Sequence, residues 1–169
     1  MLNIVNPLIL LVVVASHGLA QPQGPEATVG ALYEVISGPA GQKRDWDKFR
    51  SLFVEDAKMR VVVKRQGGPH ELRTLTLDDY VNRSGPMLEQ RGFFEKQIAA
   101  KVERYDGLVQ IFSTYEARSK ADDEKPMDRG INSIQLVQIG EAWKIVSIVW
   151  QAESSGVPVP STYLPKAGG

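Results

Sequence analysis

Tyr115 and Asn132 are the residues whose chemistry stands out first, because each sets a hydrogen-bonding group among apolar neighbours of a predicted strand. A phenol donates to a carbonyl oxygen, and a carboxamide both donates and accepts. Either could contact a polar group of a small ligand. Tyr80, on a predicted helix, offers a third such group, and Trp46 beside Phe49 offers an apolar platform. The remaining inventory of reactive groups is short. The chain has no cysteine and two histidines, of which only His70 lies beyond the first twenty residues. Thiolate chemistry is therefore excluded, and zinc, copper or Ser-His-Asp chemistry lacks its usual ligand or base. No metal and no cofactor is expected. Among the acids, Asp56 sits where it would close a turn, and Glu116 with Arg118 reads as a surface pair. His70 follows a Gly-Gly-Pro turn and reads as an exposed loop residue.

These groups need elements to position them. Val29, Leu32, Tyr33 and Ile36 fall at i, i+3, i+4 and i+7, the stripe of an amphipathic helix that should stop at Gly38-Pro39. A shorter helix follows Asp45 as N-cap, with Trp46, Phe49 and Phe53 on one side. "KMRVVVKRQGGPHELRTLTL" holds two strand-forming runs about Gly67-Gly68-Pro69. Thr76 with Asp79 resembles a capping box that opens a third helix, which Pro86 should end or kink.

The rest reads as a four-stranded meander. In "FFEKQIAAKVERYDGLVQIFSTYEAR" the Asp106-Gly107 dipeptide predicts a type I′ turn pairing Tyr105 with Leu108. Unbroken alternation then puts Phe94, Ile98, Ala100, Val102, Val109, Ile111, Ser113 and Tyr115 on a core face. Glu95, Gln97, Lys101, Glu103, Gln110, Glu116 and Arg118 fall on a solvated one. After the polar loop "SKADDEKPMD", a Gly140-Glu141 turn pairs Ile139 with Ala142. Asn132, Ile134, Leu136, Trp143, Ile145, Ser147, Val149 and Gln151 then share one face, and Ile131, Ser133, Gln135, Val137, Val146, Ile148 and Trp150 the other. Both faces are too apolar for water, so both should be covered.

The order helix, helix, hairpin, helix, meander, with "FRSLFVEDAKM" and "GEAWKIVSIVWQ", resembles the nuclear transport factor 2-like superfamily, in particular its SnoaL-like polyketide cyclase and ketosteroid isomerase branch. The likeness spans residues 26–153. It implies an α+β cone, a cystatin-like roll in which N-terminal helices pack on a strongly bent, mostly antiparallel sheet around an apolar cavity. It also implies that one face of the last hairpin lines the cone while the other often meets a second chain. The Asn132 face is assigned to the cavity and the Val146, Ile148 and Trp150 face to a homodimer contact, with the protein's own loops or C-terminal tail as the alternative cover. By the same resemblance Tyr33 stands where an oxyanion-holding Tyr would be. Val61, however, occupies the position of the proton-moving Asp, and valine moves no proton. The expected function is thus binding of a small apolar or amphipathic molecule through Tyr33, Trp46, Tyr80, Tyr115 and Asn132. The alternative is a SnoaL-like lyase, isomerase or cyclase acting on a small apolar carbonyl compound, which requires a carboxylate in the cavity.

The first twenty residues contain no charged side chain and read as a secretory signal peptide, with an uncleaved membrane anchor as the alternative, followed by a disordered leader over 21–25 and, after the domain, a tail over 154–169. An exported protein, periplasmic or extracellular, is expected. Beyond residue 20 the 20 basic and 20 acidic residues balance without runs of one sign, which argues against nucleic acid and against an anionic membrane once the signal is cleaved.

Overall fold

A computed structural model of the chain describes residues 23–64 and 68–166. The signal segment, residues 21–22 of the leader, Gly67 of the first turn and the last three residues of the tail lie outside the described residues. Among the described residues no helix is long and apolar enough to cross a membrane.

Helix α1 spans Pro25–Ile36, so the leader gives way to helix at Pro25. Proline suits that first position, where its missing N–H would have had no helical partner. The predicted stripe of Val29, Leu32, Tyr33 and Ile36 is buried. Helix α2, Trp46–Ser51, is capped by Asp45, whose side chain accepts from the Lys48 backbone N–H at 2.8 Å. Phe53, expected on that helix, instead begins strand β1 (Phe53–Lys64). The backbone there is captured by the last strand, Ile145 N donating to Leu52 O at 2.9 Å, yet the Phe53 ring stays 4.9 Å from Phe49.

Strand β2 (His70–Leu75) completes the first hairpin, and helix α3 (Leu77–Arg91) opens on the predicted Thr76–Asp79 capping box. Pro86 does not end this helix. It forfeits one helical hydrogen bond, but its neighbour Gly85 lies so close to Trp46 that a Cβ would be 3.0 Å from the indole. Packing on α2 outweighs the local preference. The loop from α1 to α2 is fastened by Arg44, 6% exposed, whose guanidinium donates to the carbonyls of Ile36, Gly38, Gln42 and Leu88.

Strands β3 (Phe94–Tyr105), β4 (Leu108–Arg118), β5 (Asp128–Ile139) and β6 (Ala142–Ala152) form the meander, in a six-stranded sheet ordered β2-β1-β6-β5-β4-β3. Only β1 and β6 pair in parallel. This is the expected α+β arrangement, with Phe49 and Leu52 buried from the helix side and Ile111, Ile134, Leu136 and Ile145 from the sheet. Tyr105 pairs with Leu108 and Ile139 with Ala142, as the turns predict. The Asp106-Gly107 turn has positive φ only at Asp106 (47°), so it is not type I′, which needs both.

Two bulges change the faces. In β3, Gln97 pairs with Tyr115 and Ala99 with Thr114, leaving Ile98 as an extra residue. Everything before Ile98 therefore swaps sides relative to the unbroken alternation: Glu95 and Gln97 turn inward, Phe94 and Lys96 outward. In β6, Gln135 pairs with Ser147 and Leu136 with Ile145, leaving Val146 extra. Ile148 and Trp150 consequently join Asn132 on the inner face, while Ser147, Val149 and Gln151 leave it. Val146, Ile148 and Trp150 therefore do not form one outer surface, and their assignment to a shared outer face is corrected on that ground.

The outer face has a different cover. Residues 153–166 fold back across it through two short 3-10 turns, Glu153–Ser155 and Ser161–Tyr163. Thr114 Oγ1 donates to Tyr163 O at 2.7 Å, and the rings of Tyr163 and Phe112 lie 5.0 Å apart. Val157 and Val159 sit over Val62, Ile131 and Val149.

Candidate functional site

The inner face of the sheet and the helices enclose a cavity of about 270 Å³. Phe49, Tyr80, Phe93, Ile148 and Trp150 give it an apolar, largely aromatic wall, with Met87 and Met127 among the lining residues that reach the surface. Its polar groups are few: Glu95, Tyr115, Asp128, Asn132 and Ser84. Such a lining, apolar with a few convergent polar groups, is the usual form of a small-molecule site.

The polar groups are ordered by a chain of hydrogen bonds with a direction. Asn132 Nδ2 donates to Glu95 Oε1 at 3.2 Å and to Tyr33 Oη at 3.1 Å. Ser113 Oγ donates to Gln97 Oε1 at 2.8 Å, which leaves its oxygen to accept from the Tyr33 hydroxyl at 2.7 Å. Both amide hydrogens of Asn132 and the proton of Tyr33 are thereby engaged within the protein. The network fixes the Glu95 carboxyl and leaves no free donor on Asn132 or Tyr33. Tyr33 itself lies behind Asn132, outside the lining, so the oxyanion position that the resemblance implies for it is corrected: its proton goes to Ser113.

Two other phenols differ. The hydroxyls of Tyr115 and Tyr80 have no hydrogen-bond partner among the described residues, although Tyr115 is only 5% exposed. No buried side-chain polar atom among the described residues lacks a partner, so both oxygens are accessible rather than sealed off. Tyr115 owes its place to Gly130 on the neighbouring strand, where a Cβ would fall 2.6 Å from the hydroxyl oxygen. Burial, reinforced by the nearby Glu95 carboxyl, pushes all three phenols well above the ordinary tyrosine range, so they remain protonated donors.

Glu95 carries the main electrostatic feature. Burial pushes its pKa up to about 7, the Asp128 carboxylate adds repulsion, and the Asn132 hydrogen bond opposes both. Asp128 heads β5 and is held by Ser154 Oγ at 2.7 Å and by the Arg129 backbone N–H at 2.8 Å.

Of the residues singled out from sequence, Tyr80, Tyr115 and Asn132 line the cavity, Tyr33 stands behind it, and Trp46 does not reach it. Trp46 is held away by a 3.0 Å bond from Nε1 to Glu89 and by ring contacts with Phe49 and Tyr80. Sequence reasoning missed both acids. Glu95 was hidden by the bulge at Ile98, and Asp128 by its place at the end of a charged loop.

No protein-family model matches the chain, and no curated protein matches it in sequence. Solved structures do share its fold. A protein of unknown function with a cystatin-like fold from Nostoc punctiforme superposes with a TM-score of 0.56 at 10% identity, covering 75% of this chain and 86% of that one. An NTF2-like protein of unknown function from Silicibacter pomeroyi gives 0.50 at 17% identity, over 75% and 91%. A candidate scytalone dehydratase from Novosphingobium aromaticivorans gives 0.53 at 15% identity, over 85% and 91%. The chain thus has the NTF2-like, cystatin-like α+β fold. At these identities the likeness concerns architecture, and function has to be argued from the site.

Proposed function

We propose that the cavity is the active site of an acid–base enzyme of the SnoaL-like kind, a lyase, isomerase or cyclase working on a small apolar carbonyl compound. The observation that carries this reading is Glu95: a carboxyl set in an apolar cavity, aimed by Asn132, with a pKa brought to about 7. A proton-transfer group works best when its pKa lies near the working pH. As a carboxylate, Glu95 takes the proton from the carbon next to the carbonyl while the Tyr115 or Tyr80 hydroxyl holds the oxygen that gains charge. Returning that proton to another carbon of the conjugated system completes an isomerisation. Delivering it to a β-hydroxyl releases water and completes a dehydration. The uncharged N-terminal segment supports an exported setting for this activity.

The test uses β-tetralone, an apolar ketone with exchangeable α-hydrogens, in deuterated buffer, followed by NMR. Exchange catalysed by the protein should rise with pH through about 7 and level off, because the base is the deprotonated form. Exchange no faster than in buffer, at every pH from 5 to 9, would sink the enzymatic reading, and tight uptake of the ketone without exchange would leave the binding function.

A further inference from the structure

We propose that the cavity selects a ligand bearing a positively charged amine, with the ammonium on the Glu95 and Asp128 side and the apolar body against Trp150 and Tyr80. The inference rests on this cavity being a ligand site, though not on its performing proton transfer.

Charge comes first. Among the described residues that line the cavity, the charged side chains are Glu95 and Asp128, and no Lys, Arg or His joins them. The arginines on the neighbouring strand positions are paired elsewhere: Arg129 Nε with Glu153 at 3.0 Å, and Arg118 Nη2 with Glu116 at 2.9 Å. Glu95 is met by a neutral amide, and Asp128 by a hydroxyl and backbone N–H groups. Two carboxyls lining one cavity repel one another, and a cation entering beside them relieves that repulsion. An anionic ligand would add to it.

The wall supplies the second part. Phe49, Tyr80, Phe93 and Trp150 line the same cavity and give an apolar ligand body rings to pack against. The third part is independent of charge. The Tyr115 side chain is more than nine-tenths buried, but its hydroxyl is accessible, lines this cavity and has no hydrogen-bond partner among the described residues, so it is free to donate. A bound polar group would provide one. An amine close to a carbonyl or hydroxyl therefore matches what the lining offers: acceptors for the ammonium, a donor for the oxygen, and rings for the rest.

Three probes of matched shape test this by titration calorimetry on the full chain at pH 7: 2-phenylethylamine, 2-phenylethanol and 3-phenylpropionate. The amine should bind about tenfold more tightly than the alcohol, and the carboxylate should not bind measurably. In Asp128→Asn the advantage of amine over alcohol should fall severalfold while affinity for the alcohol stays within about twofold. Equal binding of amine and alcohol, binding of the carboxylate, or uptake of none of the three would overturn the proposal. The wild-type ratios decide this even if the variant folds poorly. Because the readout is affinity, absent tetralone exchange with a retained amine preference would refute only the proton-transfer reading.

Discussion

Glu95→Gln is expected to lower protein-catalysed α-proton exchange by roughly 10²- to 10⁴-fold, the usual contribution of a positioned base, while making the folded protein more stable at neutral pH. The two effects share one cause. Gln keeps the shape of Glu and still accepts from Asn132 Nδ2, but it neither takes a proton nor carries a charge. The sign of the stability effect follows from the raised pKa. Between the unfolded value near 4.5 and the folded value of about 7, the folded state holds a proton that the unfolded state has lost. Stability associated with protonated Glu95 is therefore complete below about 4.5 and is lost as pH rises through 7. The variant should match wild type near pH 4, gain on it as pH rises, and lead by a constant amount above pH 7, on the order of 2 kcal/mol. Urea titrations at pH 4, 6 and 8 read this directly. A variant that is less stable than wild type at pH 8, or that exchanges tetralone at the wild-type rate, would remove Glu95 from the role assigned to it.

Arg44→Met should be the most damaging single change to the fold. Its guanidinium joins the last carbonyl of α1 at Ile36, the loop at Gly38 and Gln42, and α3 at Leu88, over distances of 2.6 to 3.2 Å. Burial works against the charge, lowering its pKa, while Glu89 supports it. Methionine fills part of the volume but leaves four carbonyls without this donor. Removing one member of a buried charged network typically costs about 3–5 kcal/mol, against a total stability of roughly 5–15 kcal/mol for a domain. Lysine should not rescue, because a single ammonium cannot reproduce a planar fork that serves three segments. Thermal and urea unfolding would show the loss, and a change below about 1 kcal/mol would mean that solvent already satisfies those carbonyls.

Much of the architecture was legible because it rests on local rules. The α1 stripe, the Asp45 cap, the Thr76 box and the two turn registers all follow from side-chain spacing and backbone chemistry within a few residues. The site was only half legible, and its illegible half has one physical origin. Alternation along a strand is a parity, and a bulge inverts it without leaving a composition signal. Ile98 and Val146 are ordinary strand residues, so nothing in their type distinguishes an extra residue from a paired one. Asn132, assigned to the inner face because a polar group in an apolar cavity suits a ligand site, keeps that face because the extra residue of the last hairpin lies on β6 and not on β5. Glu95, Ile148 and Trp150 were misassigned because each lies beyond a bulge from its turn. Pro86, expected to end or kink its helix, does not end it, and its neighbour Gly85 lies against Trp46.

The C-terminal segment bears on how the protein can be shortened. A chain ending at Glu153, where the last strand has closed the sheet, would keep every strand yet bare Phe112, Ile131 and Val149 as a sticky strip that invites aggregation. It would also take Ser154 away from Asp128, so trimming at a distant terminus would loosen a charged group at the cavity. The minimal working unit is set by that returning segment, and affinity handles or fusions belong after it.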